Sequence, residues 1–80
     1  MKLNNKNIRK IIRNIGNNII KEEYLLYIDD MEYPNSYTLD IFTREKEEAY
    51  IQVSIEKNKE YTTKELEDII RKAYERREYI

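Results

Sequence analysis

Asp29 and Asp30 are the adjacent carboxylates of this 80-residue chain that come nearest to a metal-binding or acid–base pair. They follow EYLLYI, a run that reads as a β-strand, and successive strand residues point to opposite faces, so the two cannot easily converge on one ion. Carboxylate-plus-lysine nuclease chemistry needs an acid two residues before a lysine on one strand face, and no Asp or Glu has a lysine at that spacing. The chain contains no histidine and no cysteine, which excludes Ser-His-Asp and Cys-His nucleophiles, thiol redox chemistry and the usual zinc sites. Gly16 is the single glycine, so no glycine-rich phosphate loop exists. No catalytic residue, metal ligand or cofactor site is assigned, and the chain reads as a non-enzyme.

The remaining chemistry is that of a surface. Residues 1–21 carry six bases and no acid, residues 22–60 carry eleven acids against four bases, and the last twenty residues balance. A net charge of -1 thus conceals a basic segment followed by an acidic one. Isoleucine, lysine, asparagine and tyrosine together make up 38 of the 80 residues, and all four have A- and T-rich codons. The abundance of tyrosine therefore says little about binding, and position must carry the argument.

Five elements can position these groups. Ile8, Ile11, Ile12, Ile15 and Ile19 repeat at helical spacing, with Lys6, Arg9, Lys10 and Arg13 on the opposite side. The expected helix runs over about residues 5–15, or on to about 21, with Asn4 or Asn5 as its cap and Gly16 as a terminator or a weak point. Three strands are expected at 23–29, 37–43 and 49–55, joined by turn-forming MEYPNS and by the charged REKEE connection, which together make an antiparallel meander. A capping box at Thr62 and Glu65 opens a second helix over about 63–78, where Leu66, Ile69, Ile70 and Ala73 form the apolar stripe. Glu67 with Arg71 and Asp68 with Lys72 are expected as ion pairs along it. The predicted architecture is one two-layer α+β domain, helix–three-stranded antiparallel meander–helix, with both helices on one sheet face.

That arrangement buries Leu26, Ile28, Leu39, Ile41, Ile51, Val53 and Ile55 and leaves the other face open. Alternation places Leu25, Tyr27 and Asp29, then Thr38, Asp40 and Phe42, then Tyr50, Gln52 and Ser54 on it. An ordinary solvated face carries Thr, Lys and Glu, whereas interfaces concentrate Tyr and Phe at their centres. Phe42 either packs locally against Tyr27 or Tyr50 or is covered by a partner. The acids Asp29, Asp30, Glu32, Asp40, Glu45, Glu47 and Glu48 read either as solvated turns or as an imitation of a phosphate backbone. The basic face of the first helix is the one candidate for nucleic-acid contact, at Lys6, Arg9, Lys10 and Arg13.

This element order, with acids along the meander, resembles one group of small anti-CRISPR proteins, phage-encoded inhibitors with a helix, a short antiparallel meander and a closing helix. The resemblance implies blockade of a nuclease through its nucleic-acid or target-recognition groove. The basic first helix departs from strongly acidic mimics and favours a mixed apolar and charged contact. The expected function is a protein-binding inhibitor of a host defence protein, with Leu25, Tyr27, Asp29, Asp40, Phe42, Glu45, Glu47, Glu48 and Tyr50 as its contact surface. The alternatives are a small nucleic-acid-binding regulator working through the first helix and a homodimer joined by the open face. The longest apolar run, Tyr24 to Ile28, is far short of the roughly 20 residues of a membrane span. No secretory signal is visible, and a cytoplasmic location is expected, in the host cell if the chain is phage-encoded.

Overall fold

Two apolar helix stripes and one apolar sheet face meet in a single core. A computed structural model describes residues 1–44 and 48–79. The elements are α1 (Ile8–Ile19), β1 (Tyr24–Asp29), β2 (Ser36–Thr43), β3 (Ala49–Glu56), α2 (Thr63–Glu75) and β4 (Glu78–Tyr79). The four strands form one antiparallel sheet in the order β1-β2-β3-β4. The fold is the expected α+β arrangement of helix, three main strands and helix, with a short fourth strand added.

Register explains why the core is continuous. Leu26 pairs with Ile41 and Ile41 with Ile51; Ile28 pairs with Leu39 and Leu39 with Val53. Each row crosses the sheet on one face, where it meets Ile8, Ile12 and Ile15 of α1 and Leu66 and Ile70 of α2. Leu39, Ile41, Ile55, Leu66 and Ile70 are almost wholly removed from water. At about 25 cal/mol per Å² of apolar surface, each such side chain stabilises the fold by roughly 2 kcal/mol. α2 lies over β3, and α1 packs beside α2.

The helix ends follow local chemistry. Thr62 accepts the Glu65 N–H at 3.1 Å, and the Glu65 carboxylate accepts the Thr62 N–H at 2.9 Å, completing the expected capping box. These bonds hold the Glu65 carboxyl below its ordinary pKa. α1 begins later than expected: Asn4 organises the preceding turn by accepting the Lys6 and Asn7 N–H groups, and Asn7 occupies the N-cap position. α2 stops three residues early, because the chain turns so that Glu78 and Tyr79 can pair with Tyr50 and Ala49. Arg77 secures that turn, donating to the Tyr74 carbonyl at 2.7 Å with its guanidinium 4.3 Å from the Tyr74 ring centre. The expected Glu67–Arg71 and Asp68–Lys72 pairs do not form among the described residues. Asp68 instead meets Lys64 at 3.9 Å and Arg71 at 3.7 Å.

Gly16 does not end α1, which runs on to Ile19 as the longer of the two expected spans. It lies buried inside the helix at ordinary helical φ and is needed for close approach. A Cβ there would stand 2.9 Å from the Tyr24 hydroxyl, which lies 2.7 Å from Asn17 Oδ1 and 3.3 Å from the Arg13 carbonyl. Tyr24 thereby locks the start of β1 against α1. Replacing glycine by alanine in a helix gains about 1 kcal/mol, but here the new methyl displaces a hydroxyl whose hydrogen bonding contributes about as much. Gly16→Ala is expected to bring no net gain in the intact chain and to stabilise the Tyr24→Phe variant by about 1 kcal/mol. Urea denaturation of the four-member cycle measures this coupling, and equal effects in both backgrounds would refute the contact.

Candidate functional site: the open sheet face

The face turned away from the helices is a grid of three rows. The first crosses from Leu25 through Phe42 to Tyr50, the second from Tyr27 through Asp40 to Gln52, and the third from Asp29 through Thr38 to Ser54. All nine residues expected on this face lie on it. The register, which the sequence does not specify, puts Asp40 at the centre of the grid on strand β2, between Tyr27 and Gln52 and two residues from Phe42.

Phe42 is half-buried and packs against two rings. Its centroid lies 5.9 Å from that of Tyr27 in an edge-to-face arrangement at 79°, and 5.0 Å from that of Tyr50 at a tilt of 34°. Both geometries suit aromatic quadrupoles. Local packing is therefore real, and involves both tyrosines. It does not remove the cluster from solvent, since Tyr27 remains 54% exposed. Leu25, Tyr27 and Phe42 line a shallow hollow with Thr43, Arg44 and Glu48.

The grid is tied together at Asp40. Its Oδ1 accepts the Tyr50 hydroxyl at 2.7 Å and the Gln52 amide at 3.1 Å. The bond to Asp40, partial burial, and the negative charges of Asp40, Glu32 and Glu78 push the Tyr50 pKa up to about 12. Tyr50 is thus a fixed neutral donor. Three acids acting together on one phenol also mark the local field as negative. Sequence reasoning identified Asp40 and Tyr50 and placed Gln52 on this face without a contact role, which rests on register; it missed Glu78, which reaches Tyr50 only because β4 pairs with β3.

The third row is less open than expected. Thr38 is buried, and its hydroxyl has no hydrogen-bond partner among the described residues. The β1–β2 connection lies over this end, where Glu32 and Tyr33 line a hollow with Ser36, Thr38, Gln52 and Ser54. Asp29 is occupied in that connection, accepting the Glu32 N–H at 2.9 Å. Asp30 accepts from Asn5 at 2.9 Å, so the two adjacent carboxylates serve different partners. Glu48 is exposed at the rim of the aromatic hollow, whereas Glu45 and Glu47 lie outside the described residues.

The basic helix face is partly committed to structure. Arg9 donates to the Leu26 carbonyl at 3.1 Å, and the Arg13 guanidinium lies 5.5 Å from the Tyr24 ring centre. Lys6 and Lys10 are exposed. The four side chains therefore do not form a uniformly available strip.

The Asp40–Tyr50 bond has a measurable signature. A phenol whose pKa is raised in the folded state contributes stability that is complete below the ordinary value of 10.0 and is lost as pH rises through about 12. Carbon NMR of the Tyr50 ring is expected to show ionisation near pH 12, and Asp40→Asn is expected to move it back toward 10.0. A Tyr50 titration unmoved by that substitution would refute the bond.

Among the described residues no helix is long and apolar enough to cross a membrane. Compared with known protein families, with curated proteins and with solved structures, the chain finds no match.

Proposed function

We propose that this chain is a non-enzymatic protein-binding module that engages its partner through the open sheet face. The observation that carries the reading is the aromatic cluster of Tyr27, Phe42 and Tyr50, held in fixed geometry on a face turned away from both helices. A rigid aromatic patch loses little conformational entropy on contact, and such residues dominate binding energy at interface centres. Around it stand Asp29, Glu32, Asp40, Glu48 and Glu78, with Arg44, Arg76 and Arg77 at its margins; the acids outnumber these bases and steer a basic partner toward the face.

A surface of the opposite character, basic with exposed stacking groups, is the nucleic-acid groove of a nucleic-acid-handling protein. Occupying that groove excludes its substrate. An inhibitor of a host-defence nuclease of the CRISPR type, carried by a phage or mobile element, is the specific form of the proposal. The two arginines of α1 that contact β1 speak against a primary role of that helix in nucleic-acid binding.

The test is capture of a partner from a nuclease-treated lysate of the native host by tagged wild-type, Phe42→Ala and Arg9→Glu/Arg13→Glu proteins. Phe42→Ala removes two ring contacts and is expected to cost about 1 kcal/mol of stability, leaving the chain folded, while binding falls below detection. The double arginine variant is expected to retain the partner. Binding that vanishes with nuclease treatment, or with the arginine variant alone, would transfer the function to α1. A mass that doubles with concentration and reverts in Phe42→Ala would instead make the face a homodimer contact.

A further inference from the structure

Asp40 lies in the middle of the surface that the proposed interaction would cover. Its Oδ1 takes both intramolecular hydrogen bonds, and among the described residues its Oδ2 accepts none and no ion pair reaches it. In the free protein water can solvate this oxygen. Under a partner it cannot, and a carboxylate covered without a compensating charge costs several kcal/mol. The position therefore restricts what can dock. A purely apolar partner strands the charge. A second copy of this chain, related by a two-fold axis through the centre of the grid, brings two Asp40 carboxylates face to face.

A cation resolves the conflict, and the rings select which one. Tyr27 pairs directly with Asp40 across the sheet, and Phe42 follows it on the same strand face. A planar guanidinium can stack on an aromatic face while donating to a carboxylate oxygen, whereas an ammonium is more strongly hydrated and does not stack. Tyr50 and Gln52 hold Oδ1, which leaves Oδ2 in a fixed direction for an incoming donor. Accordingly, we propose that the open face is an arginine-accepting site: a partner protein inserts an arginine side chain against Tyr27 and Phe42, and its guanidinium pairs with Asp40 Oδ2.

This inference rests on the open-face reading and adds the chemistry of the anchor. It is tested by NMR titration with acetyl-argininamide as the probe and acetyl-citrullinamide as its uncharged counterpart. The readouts are the Asp40 carboxyl carbon and the ring protons of Tyr27 and Phe42. The arginine probe is expected to give saturable shifts at all three residues, about tenfold weaker with the citrulline probe and in Asp40→Asn. Asparagine still offers an Oδ1 acceptor to Tyr50 and Gln52, so this variant keeps the grid folded, and a control melt verifies it. Equal response to both probes, indifference to Asp40→Asn, or no saturable shift at the solubility limit of the probe would each overturn the anchor. The two levels separate cleanly. A partner captured in a Phe42-dependent but Asp40-independent way would leave the face and remove the anchor. A specific arginine response with no Phe42-dependent partner would keep the anchor and remove the protein-binding reading.

Discussion

The contact between one face of the meander and two helical stripes is the interaction on which everything else depends. These 80 residues contain no cysteine for a disulfide and none of the usual Cys or His zinc ligands, so the fold rests on apolar packing. Leu39, Ile41, Ile51 and Ile55 meet Ile12, Leu66 and Ile70 with almost no exposure. Because strand side chains alternate, burying Leu39 and Ile41 forces Asp40 and Phe42 outward. A slip of one residue in β2 would drive Asp40 into the core and Leu39 into water. The composition of the outer face is thus held in place by the stability of the inner one.

That outer face combines requirements that usually conflict. Aromatic rings favour exclusion of water, and a central carboxylate favours its presence. The structure reconciles them by bonding Asp40 to Tyr50 and Gln52, which ties the acid to its neighbours on β3. The same bonds connect β2 to β3 through side chains as well as through the backbone. For the proposed binding role, side chains already bonded to one another have less freedom left to lose on contact.

Much of this was legible from periodicity. Five isoleucines at helical spacing, the alternation of AYIQVSI and the Thr62–Glu65 box each report on neighbours close in the chain, where local rules are strongest. Features that needed distant information were missed. Residues 76–78 read as the end of a helix because the pairing of Glu78 and Tyr79 with Tyr50 and Ala49 leaves no local trace. Gly16 reads as a terminator or a weak point because the Tyr24 hydroxyl that crowds it comes from the following strand. The nine residues of the open face followed from alternation alone, but the centrality of Asp40 and its bond to Gln52 depend on register. The covering of Thr38 by the β1–β2 connection likewise depends on how that connection folds back, which its turn-forming residues do not specify.

The bond from Arg9 to the Leu26 carbonyl has a meaning beyond the attachment of α1. β1 is an outer strand of the sheet, and the backbone acceptors of such a strand invite strands from other molecules. A guanidinium seated on one of them blocks an acceptor and places a positive charge along the vulnerable margin. Arg9 thus makes this flank of the sheet a poorer template for strand addition, the usual hazard of an open sheet edge.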